Sequence, residues 1–503
     1  MLDTTIKSII VSFLCLLFIT CAGEESTEEI IIEPQACSIP TNFDVSINDG
    51  TSITATWLSD NTISSFEIEF GPSGFNPNSG TRLPYNTNSA EINNLEVETE
   101  YDIYLRSKCG IEFSEWTGPL SFTTPCDLGM HQGWVILQTQ KDVEDFGSLC
   151  YTGIDGTLRL DGFESSDPIL DLSSLSHLTE ITGSLEIRDN EDLENVNGLE
   201  GLQSVFGVVL WGNPKLISIK GLQNIEEITG AEATRNGGDT EPGIIIRNNE
   251  KLESLEGLEK ISVVGQLSIR NNSSLKSLEG LINLTTVLDG VLIGGNSVLI
   301  NLAGLNNLTN VQTDFLIGGN DSLTDLTGLQ ELKIVPGELN IGANESLITL
   351  KGIEVIEKAD IITIAGNSSL TSLKWLNINQ ANRILNIRGN NSMTQIEEIE
   401  GTSSSCYMII EENNNLTSLT GMENITELNG LDVFYNDNLN SLAGIDNLVS
   451  ITRDIRFAFN PLLSDFCILT NLANNGFIGG DFVTQDNLYN PDLVDIQNGN
   501  CSQ

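Results

Sequence analysis

Basic residues and histidine are scarce in this 503-residue chain. It carries 23 Lys and Arg against 70 Asp and Glu, a net charge of −47, and two histidines, His131 and His177. Binding to nucleic acid requires a basic surface, so this balance excludes nucleic acid as a partner and disfavours docking onto anionic lipid. Histidine-based catalysis is equally restricted, and no paired zinc-ligand histidines, phosphate-binding loop or Gly-x-Ser-x-Gly motif occurs. With 39% hydrophobic residues, the chain is predicted to be a folded, acidic binding or structural protein rather than a disordered one.

Long apolar runs are also lacking, apart from residues 8–20 at the N-terminus. That run is too short for a comfortable membrane span and is typical of a signal peptide. Cys21 ends it and is followed by Ala22 and Gly23, which resembles a bacterial lipoprotein signal. This resemblance implies that residues 1–21 form the leader, that Cys21 is lipidated, and that this lipid is the only membrane attachment. An ordinary signal peptide is the alternative.

Acidic residues 22–35 follow the leader. They resemble the surface-export signals of lipoproteins in the Bacteroidetes group, which implies a location on the cell surface at the outer membrane. The alternative interpretation is a solvated linker without an export role.

Seven of the nine cysteines lie beyond the leader, and six of these flank candidate domain boundaries. In an oxidising compartment, disulfides at such places would hold the ends of each module. We predict Cys406 to be free. Spacing alone does not prove the pairing, for which we favour Cys37–Cys109, Cys126–Cys150 and Cys467–Cys501.

Residues 36–126 read as short strands with alternating apolar residues, separated by glycine, proline and asparagine turns. Trp57 lies in the second such run, the segment 95–101 ends in Tyr101, and the last run, 116–122, begins with a tryptophan. These features resemble a fibronectin type III domain. The resemblance implies a seven-stranded β-sandwich that serves as a spacer or binding module, with Trp57 and Tyr101 in its core.

Residues 127–503 contain an internal repeat. One frame recurs around twelve asparagines at intervals of 23 or 24 residues, with a single step of 36 that accommodates a polar insert at residues 230–243. Apolar residues stand three and five positions before each asparagine, as in a short strand that points two side chains inward. Stacked coils would place the asparagines in a ladder. The asparagines are 190, 213, 249, 272, 296, 320, 344, 367, 390, 413, 436 and 460.

This frame resembles the receptor L domain, a relative of the leucine-rich repeats, across essentially all of residues 127–503. The resemblance implies a right-handed β-helix-like solenoid with an N-terminal cap at 127–160 and a C-terminal cap at 461–503. The chain is therefore predicted to be mainly β, with a sandwich followed by this solenoid. Repeated asparagines also suit a calcium ladder, but the Gly-Gly-x-Gly-x-Asp pattern is absent, so no cofactor is expected.

The residues two and four positions before each ladder asparagine are predicted to face solvent. In the first coils they form a basic and aromatic patch, although the chain has only 11 Arg. Arg and Trp are favoured anchors in interfaces. Two alternatives stay open: the insert covers this face, or the Arg residues pair with Glu186 and Asp189. The candidate ligand-binding residues are Arg188, Val209, Trp211, Ile245, Arg247 and Arg270.

The sequence thus favours a lipid-anchored adhesion or binding protein that recognises a surface glycan or an extracellular protein. A structural envelope component without a specific ligand is the alternative. A polysaccharide-active enzyme is the third hypothesis. We do not expect catalytic activity, because carboxylate pairs that arise by chance among 70 acidic residues are no evidence of an active site. The sequence does not indicate an oligomeric state.

Overall fold

The computed structural model describes residues 37–228, 230, 243–397, 399 and 403–503. The predicted leader with Cys21, the linker 22–35 and most of the insert 230–243 lie outside the described residues. The chain divides into two compact units. One contains most of the sandwich, including 55–90 and 101–122, and the other contains 46–54, 91–100 and 123–503.

Eight strands of the described residues build the sandwich. One sheet has the order β1-β2-β5, and the other has the order β4-β3-β6-β7 with β8 also on β6. The resemblance implies seven strands, and the additional one is the two-residue β7, which pairs with the end of β6 in a hairpin. The strands are Thr41–Ile47 (β1), Ile53–Leu58 (β2), Phe66–Pro72 (β3), Thr81–Tyr85 (β4), Ser89–Ile92 (β5), Glu100–Cys109 (β6), Glu112–Phe113 (β7) and Thr117–Thr123 (β8).

The two predicted core aromatics of the sandwich are buried. Trp57 is 3% exposed and Tyr101 is 7% exposed. The Trp57 ring meets Phe66 edge-on at 5.2 Å, and the Tyr101 ring stacks on Phe122 at 5.7 Å. Such contacts add to the burial of apolar area, so the alternating strands of the sequence do build the expected core.

The second unit is a parallel β-solenoid of about 15 turns with few helices. Its helices are Gln140–Gly147 (α1), Thr470–Asn475 (α2) and Leu493–Gln497 (α3). Its strands are Met130–Gln132 (β9), Val135–Leu137 (β10), Gly153–Asp155 (β11), Leu158–Asp161 (β12), Glu180–Arg188 (β13), Ser204–Trp211 (β14), Glu227–Ile228 (β15), Gly243–Arg247 (β16), Val263–Val264 (β17), Gln266–Arg270 (β18), Thr286–Val287 (β19), Val291–Gly294 (β20), Asn310–Val311 (β21), Phe315–Gly318 (β22), Ile334–Gly342 (β23), Lys358–Ala365 (β24), Ala381–Arg388 (β25), Ser403–Glu411 (β26), Glu427–Phe434 (β27), Ser450–Ile451 (β28), Ile455–Ala458 (β29), Phe477–Ile478 (β30) and Phe482–Gln485 (β31).

Equivalent positions of successive coils lie side by side. Ile293 pairs with Ile317 and Ile317 with Ile341, because β20, β22 and β23 run parallel in strict register. The inward residues, together with the leucines that follow each asparagine, form one continuous apolar core along the coils. No coil could bury its apolar side alone, so each coil is stabilised by its neighbours.

The predicted asparagine ladder is present and buried. Each asparagine donates its backbone N–H to Oδ1 of the next at 3.0–3.2 Å, and its Nδ2 donates to a backbone carbonyl of the preceding coil. The ladder runs from Asn190 and continues one step beyond the prediction, since Asn460 donates to Asn487. The repeated amide thus satisfies the backbone where each strand ends.

Two recurrent turns complete each coil. The residue before each ladder asparagine has a left-handed backbone, as at Asp189, Asn271 and Gly319. Eight residues after seven of the ladder asparagines stands a glycine with φ of 104–126°, and at Gly328 an added Cβ would lie 2.1 Å from the Leu302 carbonyl oxygen. A side chain has no room there, so this position favours glycine.

Disulfides hold the ends of both units, and all three predicted pairs are formed: Cys37–Cys109, Cys126–Cys150 and Cys467–Cys501. Cys406 is free and buried, as predicted. The N-terminal cap helix α1 starts with a capping box between Thr139 and Asp142, which satisfies two N–H groups of its first turn.

Candidate functional site

The candidate ligand-binding residues lie on two parallel rows along the outer side of the strands. One row aligns Arg188, Trp211, Arg247 and Arg270, and the other aligns Val209 with Ile245. We call this surface the strand face. The structure therefore brings all six residues together, as the repeat register predicts.

Trp211 lies between two guanidinium groups. The Cζ atom of Arg188 is 5.5 Å from the indole centroid, and that of Arg247 is 5.7 Å from it. Because the strands are spaced at about 4.8 Å, neighbouring side chains in a row naturally stack in this way. Trp211 remains 38% exposed. Cation–π contact holds both Arg side chains extended along the surface, while the outer part of the indole stays accessible.

Glu186 anchors the Arg residues at this end of the strand face. Its side chain is 1% exposed, and Arg159 Nε donates to its Oε2 at 2.6 Å. The Nε of Arg188 is 3.1 Å from the same oxygen. Among the described residues, Oε1 of Glu186 has no hydrogen-bond partner. Pairing between Arg188 and Glu186, which the sequence left open as an alternative, is thus present.

The stacked cluster extends further than the sequence indicated. The Cζ atom of Arg159 lies 5.8 Å from the ring centroid of Trp134, and Trp134 is 49% exposed. Along the coils the cluster therefore runs from Trp134 and Arg159, through Glu186 and Arg188 on one strand, to Trp211 and Arg247. Sequence analysis missed Trp134 and Arg159, because the N-terminal cap has no ladder asparagine from which to count. An arginine two residues into a short apolar strand was the available clue.

The expectation that the side chains of Val209 and Ile245 are exposed to solvent is wrong. Both lie on the strand face, but each is 1% exposed. In register they are neighbours of each other, and the long side chains of Trp211 and Arg247 lie two residues further along the same strands. Residues 229 and 231–242, part of the predicted insert, lie outside the described residues. The accessible part of the strand face is therefore the row of Arg188, Trp211, Arg247 and Arg270.

Beyond Arg270 the strand face becomes flat and uncharged. Gly294, Gly318 and Gly342 continue the row, and Leu292 and Leu316 beside them are half-buried. A flat surface without charged groups offers a ligand no charge-assisted hydrogen bond.

A second polar cluster lies near the C-terminal end of the strand face. Arg456 donates to both carboxylate oxygens of Asp432 at 2.7 Å and to the Tyr407 hydroxyl at 2.8 Å. Arg456 is also 5.7 Å from the Phe434 ring centroid. Burial raises the pKa of Tyr407, while the Arg456 bond opposes that rise. Because Arg456 is fully engaged by Asp432, this cluster is best explained as structural.

The residues that could support other chemistry are occupied or buried. Burial lowers the pKa of His177, and the His131 ring packs edge-on against Phe146 and Tyr151. A grouping of Glu98 with Cys126 and Cys150 offers no metal site, because both sulfurs form a disulfide. From Asn213 to Asn487, the ladder oxygens that calcium would need each accept two hydrogen bonds from the preceding asparagine, as at Asn344.

Family models match two parts of the chain. A model of the fibronectin type III domain matches residues 38–123, and a model of the receptor L domain matches residues 150–253. These domains are typical of ligand-binding receptor ectodomains and are themselves binding rather than catalytic modules. Among the described residues, no helix is long and apolar enough to span a membrane.

Solved structures similar to part of the chain include fibronectin type III domains. The FN1–FN3 domains of chicken CNTN1 are 15% identical, with 18% of this chain and 31% of that one covered, at a TM-score of 0.17. The chain thus covers less than a third of that relative. The fn3 domain of human contactin 1 is 16% identical (20% and 93% covered), and that of human collagen alpha-1(XX) is 16% identical (18% and 89% covered), both at 0.17. No curated protein matches the chain.

Proposed function

We propose that this protein is an exported cell-surface binding protein that recognises an anionic glycan through Arg188, Trp211, Arg247 and Arg270 on the strand face. The single observation that carries the proposal is the stack of Arg188, Trp211 and Arg247, at 5.5 and 5.7 Å, on a chain of charge −47. Guanidinium groups bind carboxylate or sulfate through paired hydrogen bonds, and they are pre-extended here.

The two ends of this row differ in their charge balance. Arg159 and Arg188 share the buried carboxylate of Glu186, so each is held in place by a charge inside the solenoid. Arg270 is exposed and lies at the other end. A carboxylate or sulfate on a ligand would meet side chains whose positions are already fixed, and pre-organisation lowers the entropic cost of binding.

Attachment to the outer membrane through a lipid on Cys21 completes the proposal. The lipoprotein-like leader supports it, together with three disulfides that fit an oxidising compartment. The acidic linker and the sandwich would then hold the solenoid away from the membrane. Mass spectrometry of the mature N-terminus tests the anchor, since an unmodified Cys21 would contradict it.

Binding to heparin and polygalacturonate, with neutral dextran and polyglutamate as comparisons, tests the site. We expect the wild type to bind the two anionic polysaccharides, more weakly as salt rises. The variant Trp211→Ala with Arg247→Glu should lose this binding and keep the melting temperature of the wild type. A matched control is Tyr435→Ala with Arg383→Glu, an exposed aromatic and an exposed Arg away from the row.

The remaining hypotheses give different results in the same assay. Binding that survives Trp211→Ala with Arg247→Glu would contradict the site. Preference for polyglutamate would favour an acidic protein as the ligand. A chain that binds none of the four polymers would be better explained as a structural envelope component, and release of short fragments from polygalacturonate would reveal an enzyme.

A further inference from the structure

One coil carries a tryptophan at the position where seven other coils have a left-handed glycine. Eight residues after their ladder asparagines, Gly304, Gly328 and Gly352 have φ of 113–126°, and Gly421 and Gly444 have φ of 109° and 114°. Trp375 occupies the same position in the coil that begins at Asn367. It has φ of 84° and is 42% exposed.

A left-handed backbone is unfavourable for a bulky residue, and neighbouring coils show that this turn can be made by glycine. Non-glycine residues with such conformations cluster at sites that bind ligands, where the surrounding structure enforces them. Trp375 does not belong to the apolar core, because 42% of it is exposed. Its presence therefore calls for an explanation other than the stability of the solenoid.

The same coil departs from the repeat a second time. Twelve residues after the ladder asparagine, neighbouring coils bury an aliphatic side chain, such as Leu332, Ile356 or Ile425. Here the position is Asn379, which is exposed. Beside it Gln380 is 4% exposed, and its amide donates to the Ile353 carbonyl at 3.4 Å. Two amide side chains, Asn379 and Gln380, therefore stand at this corner of the coil.

A cavity of about 540 Å³ lies where the two departures meet. Its volume is within the range of small-molecule sites. Trp375 supplies an apolar wall, and the polar residues that line it are Glu354, Glu357, Lys374, Asn377, Asn379 and Gln380. The Gly352 N–H donates a hydrogen bond to Oε2 of Glu354, and Oε1 of Glu357 lies 3.8 Å from Nζ of Lys333. A second cavity of about 400 Å³ continues beyond Lys374, between Gln395 and Glu423.

We infer that this cavity, which we call the Trp375 cavity, binds a neutral sugar residue. An exposed indole can stack on the C–H face of a pyranose, and carboxylates and amides around it can bind hydroxyl groups. Lys374 Nζ approaches the indole at 5.5 Å from its centroid. Glu354 and Glu357 repel a uronate or a sulfated sugar, so a neutral sugar fits the charge of the lining.

This site is independent of the proposed strand-face site. It shares no residue with the row of Arg188, Trp211, Arg247 and Arg270. The two sites would also select ligands that differ in charge: an anionic polymer on the row and an uncharged ring beside Trp375. Failure of one site in a binding assay therefore leaves the other untouched.

The variant Trp375→Gly tests the inference, because it installs the residue that the preceding coil carries at this position, Gly352. Neutral hexasaccharides of glucose, mannose and galactose are titrated into the full chain, and the Kd is measured by calorimetry. We expect the wild type to bind at least one hexasaccharide. Trp375→Gly should raise that Kd about tenfold or more, while its melting temperature stays equal to or above that of the wild type, since the strained turn is relieved.

Three further measurements make the result decisive. Trp375→Phe keeps an aromatic ring and should retain more affinity than Trp375→Gly. Trp211→Ala, on the strand face, should leave hexasaccharide binding unchanged. Asn379→Leu restores the aliphatic residue of the repeat and should weaken binding without loss of stability. A wild type that binds none of the hexasaccharides, or an equal Kd for Trp375→Gly, would overturn the inference.

Discussion

Asn320 donates both its backbone N–H and its side-chain amide to Oδ1 of Asn344, at 3.1 and 3.3 Å. A single acceptor atom thus satisfies two donors of the preceding coil. Asn320 in turn accepts the same two bonds from Asn296. Every internal asparagine of the ladder therefore accepts hydrogen bonds from one neighbouring asparagine and donates to the other. Its amide is for that reason harder to replace than that of an ordinary turn asparagine.

We predict that Asn320→Ala lowers the free energy of unfolding by about 3 kcal/mol or more, because it leaves buried donors of Asn296 and the Ile293 carbonyl without partners. The control is Asn283→Ala. Asn283 is exposed and makes one bond, to the Glu259 carbonyl, and its loss should cost about 1 kcal/mol. Denaturant unfolding of both variants measures the difference. Equal losses would show that burial of the ladder adds nothing.

The glycine column gives a second stability prediction. Gly328→Ala should destabilise the solenoid by about 2–4 kcal/mol, since φ is 126° and the new Cβ would lie 2.1 Å from the Leu302 oxygen. Gly110→Ala is the matched change, because φ is 68° and nothing lies within 4 Å of an added Cβ. It should cost only about 1 kcal/mol. Thermal melting that ranks the two variants in reverse order would contradict the steric argument.

The buried carboxylate at the start of the strand face predicts a strong ion pair. Glu186 has a side chain 1% exposed, so Arg159→Met should cost about 2–3 kcal/mol of unfolding free energy. Lys276→Met breaks a comparable pair with Glu253, but both of those side chains are more than half exposed. Its cost should stay below about 0.5 kcal/mol. A double-mutant cycle on each pair checks this, and equal coupling energies would refute it.

The buried thiol of Cys406 predicts that the stability of the folded chain depends on pH. Burial raises the pKa of its thiol from 9.0 to about 12. The native thiol then stays neutral where the unfolded thiol ionises, so its contribution to stability is complete below about pH 9 and is lost as pH rises towards 12. We expect iodoacetamide at about pH 8 to leave the native chain unlabelled and to label it after unfolding. Cys406→Ala should flatten the fall of stability above about pH 9. Rapid labelling of the native thiol would contradict its burial.

Much of the solenoid followed from counting along the sequence. The asparagine at Asn413, for example, fixes the inward Ile410 and the outward Glu411 by position alone, since the side chains of a strand alternate. All three disulfides followed from cysteines placed at module ends. Asn487 was missed because the C-terminal cap lengthens the last step to 27 residues, so the counting frame ended one member early.

The candidate site was less predictable, because burial on an outward row depends on neighbours in other coils. Alternation placed Val209 and Ile245 on the strand face correctly, yet no rule of spacing states that they are covered. The shared role of Glu186 was equally hidden, since Arg159 belongs to a coil without a ladder asparagine. Trp375 was visible as a departure from glycine in the repeat, but only the left-handed backbone and the adjacent cavity give that departure a meaning.

Each interior coil of the solenoid has two neighbours, whereas a terminal coil has one. Fraying should therefore begin at the two ends, where the nearest-neighbour energy is halved. Cys126–Cys150 and Cys467–Cys501 lie at those ends. In a reducing environment the solenoid should therefore unfold from its two ends inward. In an oxidising environment a pulling force would have to unfold the interior coils first.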